Sequence, residues 1–182
     1  MKRLSNLMTD LLDYGKPPTL DLQPGGISEA VDGAVHACEP LARDAAVTVR
    51  PQLPPDLPHI RRDVRRLEQA FQNLLANAIQ HSPRGSVVRV RARPTTLDGR
   101  ACLECRVEDD GRGIPEASLP HVFEPFFTGR KGGTGLGLPI VQRIVEAHGG
   151  TVTAANGAEG GAVFTMTFPT PSVEARDGTR RA

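Results

Sequence analysis

Between Asp109 and Gly137 the chain reads DDGRGIPEASLPHVFEPFFTGRKGGTGLG: an acidic pair, two glycine clusters and an aromatic-basic loop between them. Glycine tolerates positive φ and lets backbone approach a ligand closely. Glycines that open a helix leave its first N–H groups free, and these groups, together with the helix dipole, favour phosphate. A carboxylate delivered by a strand, then a mobile loop, then glycines leading into a helix make a pattern suited to a nucleotide. The two commonest glycine motifs are absent. There is no G-x-x-x-x-G-K-[ST] and no G-x-G-x-x-G in this stretch, which argues against a Walker or Rossmann site.

A second set of chemistry-bearing residues lies upstream. Asn73 and Asn77 stand four apart in a segment where Val64, Leu67, Phe71, Leu74, Leu75 and Ala78 share one helical face. Asn is a poor choice for a helix interior. The pair is either a solvated surface feature or a pair of amide oxygens wanted by a ligand. Beside a phosphate-type site, an amide oxygen suits Mg²⁺, a hard cation that prefers oxygen.

The remaining elements must position these groups. Leu4, Leu7, Met8, Leu11 and Leu12 make a helical stripe closed by Gly15 and the Pro17-Pro18 pair. So short a helix is marginal alone, so we read it as the last turns of a longer bundle helix rather than a terminal helix packed on its own domain. Thr19 to Gln23 reads as a short strand, Pro24-Gly25-Gly26 as a turn, and Ser28 as the cap of a helix with Ile27, Val31, Val35, Cys38 and Leu41 on its face to a sheet. Strands are expected at Val47 to Leu53 and at His59 to Arg61, with the helix Asp63 to Ser82 next. Val88, Val90 and Ala92 alternate with Arg89, Arg91 and Arg93, the pattern of a half-buried strand with a basic outer face. Leu103, Cys105 and Val107 mark the strand that delivers the acidic pair. After Pro139, harmless in a first turn, comes a helix with Leu138, Val141 and Val145 in its stripe, closed by Gly149-Gly150. Thr151 to Ala155 and Ala162 to Phe168 form a hairpin across the Gly157 to Gly161 turn, and the last dozen residues are read as a polar tail.

Composition narrows the function. The 182 residues fit one ordinary domain with short appendages, and 38% hydrophobic residues can support a core. A formal charge of +1 gives no reason for nucleic acid or an acidic membrane as main partner, and the Arg61-Arg62, Arg65-Arg66 cluster reads first as a solvated face and second as a phosphate contact. There is no apolar run long enough to span a bilayer and no visible signal peptide, so a cytoplasmic setting is expected. Cys102 and Cys105 have C-x-x-C spacing, but an odd separation on a strand sends them to opposite faces, which disfavours a shared metal or redox pair.

Taken together, these motifs resemble the catalytic and ATP-binding domain of two-component sensor histidine kinases, in the GHKL superfamily. The likeness covers about residues 18 to 169. QNLLANAIQHS from Gln72 resembles the N box, DDGRGIP from Asp109 the first glycine box, FEPFFT from Phe123 the F box, and GTGLGLPIVQRIVEAHGG from Gly133 the second glycine box with its helix. The short lid is most similar to the nitrogen-sensor branch. The resemblance implies a Bergerat ATP-binding fold: an α/β two-layer sandwich with a mixed sheet, helices on one face and a mobile ATP lid.

By position, it implies that Asn77 coordinates Mg²⁺, that Asn73 supports metal and phosphates, and that Asp109 accepts the adenine amino group. Gly111 and Gly113 would admit the base beside Ile114. Phe126, Phe127, Thr128, Arg130 and Lys131 would form the lid, the basic pair sharing the catalytic work with Asn73 and Asn77. Gly133, Thr134, Gly135, Leu136, Gly137 and Leu138 would wrap the phosphates, and Thr165 would reach the adenine through water. Gln80 and His81 stand where the family often has Lys-Tyr, so a phosphate contact is replaced or lost there. A Glu that activates water in the hydrolytic branch of the superfamily is here Asn73, which disfavours hydrolysis.

The chain shows no His-Glu phosphoacceptor box. Residues 1–16 are therefore read as the end of a dimerisation helix, residues 17–169 as the catalytic domain and residues 170–182 as the tail. The implied function is transfer of the ATP γ-phosphoryl group to a histidine on a separate dimerisation domain, and from there to a response regulator. The chain itself would be monomeric, the full protein dimeric through the missing helices, with any membrane anchor upstream. The competing readings are a nucleotide-binding interaction module and an anti-sigma-type serine kinase.

Overall fold

The computed structural model describes Gly15, residues 19–129 and residues 133–171. The expected N-terminal leucine stripe, the basic pair Arg130-Lys131 and the tail beyond Pro171 lie outside the described residues.

Five strands make one mixed sheet in the order β2-β4-β5-β7-β6: β2 (Thr48–Gln52), β4 (Val87–Leu97), β5 (Arg100–Glu108), β6 (Thr151–Asn156) and β7 (Ala162–Pro169). Only β2 and β4 run parallel; the other pairs are antiparallel. β1 (Gln23–Gly25) and β3 (Ile60–Arg62) form a separate two-stranded antiparallel sheet. Among the described residues, three α-helices, α1 (Ser28–Ala45), α2 (Val64–His81) and α3 (Gly137–Ala147), and a 3-10 helix (Glu116–His121) complete the α/β fold.

Alternation decides which sheet face is covered. Val88, Val90 and Ala92 of β4, Leu103, Cys105 and Val107 of β5, and Phe164, Met166 and Phe168 of β7 are all buried and join one cluster with Leu67, Phe71, Leu74 and Leu75 of α2 and Ile140, Val141 and Ile144 of α3. Each such aliphatic or aromatic side chain stabilises the fold by about 1.5–3 kcal/mol through area removed from water. The opposite face is polar, as expected, but its arginines are paired. Arg89 meets Asp110 at 2.7 Å, Arg91 meets Glu108 at 3.0 Å and Arg93 meets Glu104 at 2.7 Å. Cys105 lies in the core at 1% exposure, whereas Cys102 falls on the other face, covered at the far end of the sheet near Gly149 and Thr167.

Helix α2 matches its sequence pattern closely. Asp63 is the N-cap, its carboxylate accepting from Arg66 N–H at 3.2 Å, and Ser82 is the C-cap. Helix α1 departs from expectation. Its cap is the fully buried Ile27, and Ser28 is already helical with no capping bond. Its core face is built on Ala30, Val31, Ala34, Cys38 and Ala42, with Val35 and Leu41 only partly buried, because it packs chiefly against α2 at close range. A Cβ on Gly33 would stand 2.8 Å from the Glu68 carboxyl carbon.

The first strand also moves. Pro24 and Gly25, expected in a turn, pair with Arg61 and Ile60, while residues 19–22 are irregular. The Arg62 guanidinium packs over Gly25, 2.6 Å from where a Cβ would stand. At the other end, Thr170 donates through both its backbone N–H and its hydroxyl to Ala101 O, at 3.0 and 2.9 Å.

Candidate functional site

The carboxylate-bearing strand β5 ends at Glu108, and the chain turns immediately after it. Asp109 continues the inward alternation of Leu103, Cys105 and Val107 and is 5% exposed. Its Oδ1 accepts from Gly111 N–H at 2.8 Å and from Ala162 N–H at 3.1 Å, while its own N–H donates to Ala162 O at 3.0 Å. One oxygen is thus held by the protein, and the carboxylate is aimed rather than free to rotate. A buried acceptor of this kind selects a ligand that brings a donor, since a ligand without one leaves the charge unmatched.

The glycines around it are explained by close contact. A Cβ on Gly111 would lie 2.6 Å from His81 O and 2.7 Å from Asp109 Oδ1. Gly113 has φ +73° and no room for a Cβ, which would sit 2.6 Å from Asn156 Oδ1. Thus the end of α2 and the first glycine cluster meet backbone to backbone. His81 contributes its carbonyl there, while its side chain and that of Gln80 lie on the exposed end of the helix. The adjoining Asp110 points to the outer face, where Oδ2 accepts from Val87 N–H at 3.1 Å and Oδ1 from Arg89. The Arg89 hydrogen bond holds the Asp110 carboxyl below its ordinary range, against the opposing effect of burial.

Asn73 and Asn77 are half-buried, beside the buried stripe of α2. Among the described residues, neither carboxamide makes a protein hydrogen bond. The second glycine cluster comes to them: a Cβ on Gly137, the first residue of α3, would be 3.6 Å from Asn73 Oδ1. Helix α3 therefore begins beside Asn73. Leu136, fully buried, anchors its cap; its N–H donates to Thr134 Oγ1 at 3.3 Å and its carbonyl accepts from Ile140 N–H at 3.0 Å. Leu138 packs partly buried against the core.

The root of the loop is closed by Phe126 N–H donating to Gly135 O at 2.9 Å. Both residues adopt positive φ, +67° at Phe126 and +66° at Gly135. Phe126 is 58% exposed and Phe127 37%, the latter tilted against His121 with ring centroids 5.9 Å apart. Thr128 and Gly133 are exposed. The described residues thus set an aimed carboxylate, Asp109, beside the first glycine cluster, and an amide, Asn73, beside the N-terminus of α3.

Residues 62–172 match the family of histidine kinase-, DNA gyrase B- and HSP90-like ATPases. The chain belongs to that family. Among sensor kinases, ZraS of Klebsiella oxytoca is 34% identical over 92% of this chain and 36% of its own length. AfsQ2 of Streptomyces coelicolor is 44% identical over 61% of this chain and 21% of its own length. Among solved structures, full-length ShkA in complex with AMPPNP has a TM-score of 0.78 at 28% identity, covering 92% of this chain and 36% of that one. This chain thus spans about a third of the length of ZraS. Its fold and domain are those of the ATPase module of sensor histidine kinases. These relatives give no support to the nitrogen-sensor branch suggested by the short lid.

Within this ATPase domain, one expected residue is out of place. Thr165 pairs with Arg106 of β5 and Thr153 of β6, so its side chain shares the outer face with Arg106 and lies across the sheet from Asp109. Period-two alternation makes this unavoidable, because Phe164 and Met166 on either side are buried in the core. The β7 residue that meets the acid is Ala162, through its backbone. Asn156 was missed as well. Its only sequence signal is an amide at the start of a glycine-rich turn, where an Asn ordinarily serves its own turn.

Proposed function

We propose that this ATPase domain binds Mg²⁺-ATP and transfers its γ-phosphoryl group to a histidine on a separate helical domain. The observation that carries the reading is the pairing of Gly137 at the start of α3 with Asn73 at one end of the cleft, opposite an inward-facing, backbone-held Asp109 at the other. A purine amino group suits the acid, and phosphates suit free helix N–H groups. Membership of the ATPase family and the likeness to a kinase solved with AMPPNP support the same ligand.

The residues fit a magnesium ion. Asn77 offers a hard amide oxygen, half-buried and without a protein partner among the described residues. When bound, the ion would neutralise triphosphate charge. Asn73, next along the same helix, would orient phosphate, and the glycines from Gly133 to Gly137 would let backbone follow it. Arg130 and Lys131 are proposed to carry developing charge at the leaving phosphates. Transfer of this kind depends on in-line positioning and charge stabilisation, and the acceptor imidazole brings its own nucleophile, so no strong base is needed here. With Asn73 in place of a water-activating Glu, transfer is favoured over hydrolysis.

The acceptor histidine, the dimer contact and the response regulator belong to a larger protein, with residues 1–16 ending its dimerisation helix, residues 17–169 forming the catalytic domain and residues 170–182 its tail. We place the domain in the cytoplasm, as a monomer in isolation; among the described residues no helix is long and apolar enough to cross a membrane. Incubating the chain with a purified acceptor domain and γ-labelled ATP tests the proposal. Acid-labile label on the acceptor is expected. Acid-stable label would indicate a serine kinase of the anti-sigma type, and no label a nucleotide-binding module.

A further inference from the structure

The side chain of Asn156 reaches across 42 positions of sequence and binds both backbone groups of Ile114. Its Oδ1 accepts from Ile114 N–H at 2.7 Å, and its Nδ2 donates to Ile114 O at 2.8 Å. The turn that follows Asn156 closes without it: Gly157 N–H donates to Gly161 O at 3.0 Å and Gly160 N–H to Gly157 O at 3.1 Å. The carboxamide is therefore spent on another loop. That loop is the first glycine cluster, whose other holds are the Asp109 carboxylate at one end and the packing of the Ile114 side chain against the core.

The β6–β7 hairpin thus grips the cluster at two points. Asn156 fixes Ile114, and Ala162 N–H fixes the Asp109 carboxylate at 3.1 Å. Between them, Gly113 takes φ +73° and lies so close that any Cβ would strike Asn156 Oδ1. Gly113 and Asn156 fit as a pair: the amide occupies the space that the missing side chain leaves. A backbone segment with both its N–H and its C=O tied cannot rotate about its axis, and this is what would keep the loop open to a flat base.

We infer that Asn156 is a positioning residue for the purine end of the site, acting through Ile114 to hold the Gly111–Ile114 loop and the Asp109 carboxylate in register. The inference rests on the nucleotide reading above. No other single side chain of the same length both accepts and donates in a plane, so an aspartate, which only accepts when ionised, keeps one bond and sets a carboxylate against the Ile114 carbonyl.

The test uses calorimetric titration of the 182-residue chain with ADP and with ATP, for wild type, Asn156→Ala and Asn156→Asp. Loss of two neutral hydrogen bonds should raise Kd roughly tenfold in Asn156→Ala. The factor should be the same for ADP and ATP, because the phosphate end is untouched. In Asn156→Asp, affinity relative to wild type at the same pH should be lowest near neutrality. It should recover as the new carboxyl takes a proton and regains a donor. A merely structural role would move the unfolding midpoint but produce no such pH-linked recovery. Unchanged affinity in Asn156→Ala beside a wild type that binds would overturn the role of Asn156. So would a loss confined to ATP, or an Asn156→Asp deficit that ignores pH. Absence of ADP binding by wild type would overturn the nucleotide reading, and this inference with it.

Discussion

The imidazole of His148 accepts a hydrogen bond from the backbone N–H of Asp63 at 3.0 Å, tying the end of α3 to the cap of α2. Its Nδ1 lies 2.7 Å from Ile144 O, so the ring is the neutral form with the proton on Nδ1, donating within its own helix and accepting from the other. The two helices are thereby joined at the end remote from Asn73 and Gly137.

Burial pushes the His148 pKa down, and the nearby backbone carbonyl and Asp63 only partly oppose it. The unfolded chain takes up a proton near the ordinary imidazole value of about 6.5, while the folded chain resists it. The contribution of His148 is therefore complete above that value and is lost as pH falls from it towards the lower folded pKa. Urea unfolding at pH 7.5 and pH 5.5 should show wild type losing stability at the lower pH and His148→Gln losing distinctly less. Parallel pH profiles would rule this out.

Asp109→Asn should leave the fold intact, because an amide oxygen can still accept from Gly111 and Ala162 N–H. The ligand would lose a charge-assisted hydrogen bond of about 1.5–3 kcal/mol, a weakening of roughly ten- to a hundredfold. Titration with ATP and a thermal melt measure the two effects separately. Wild-type affinity in this variant would show that the purine does not sit at Asp109.

Two glycines with positive φ offer a matched comparison. A Cβ on Gly135 would come within 2.5 Å of the Phe126 backbone, while one on Gly85 meets nothing within 4 Å. Gly85→Ala should cost only backbone strain, about 1–2 kcal/mol, and spare nucleotide binding. Gly135→Ala should break the Phe126–Gly135 bond at the loop root and weaken ATP more than it lowers the melting temperature. Equal binding by the two variants would remove the loop root from the site.

Asn77→Ala should abolish the gain in ATP affinity that Mg²⁺ confers over EDTA, without lowering the melting temperature. Alanine is the better helix former, and the amide has no protein partner to lose among the described residues. Persistence of the magnesium effect would move the ion elsewhere.

Local pattern carried much of this architecture. The stripe from Val64 to Ala78 defined α2, and strict alternation defined the inner faces of β4, β5 and β7. Where sequence reading went astray, the deciding partner was distant. β1 falls on Pro24-Gly25 because those residues pair with Arg61 and Ile60 of β3, and Ser28 yielded the cap to Ile27, whose side chain is fully buried.

From its own residues the chain determined which groups could touch a ligand: two amides one helical turn apart, an acid at a strand end, and glycines where backbone must bend. Periodicity and residue type are local properties, legible without coordinates. Only the tertiary structure decided which side of the sheet each group faces and what holds it there. Thr165 turned outward because its neighbours are core, and Asn156 and His148 gained their roles from backbone groups 42 and 85 positions away. Hydrogen bonds between segments so far apart leave no periodic trace, since one partner is main chain common to every residue.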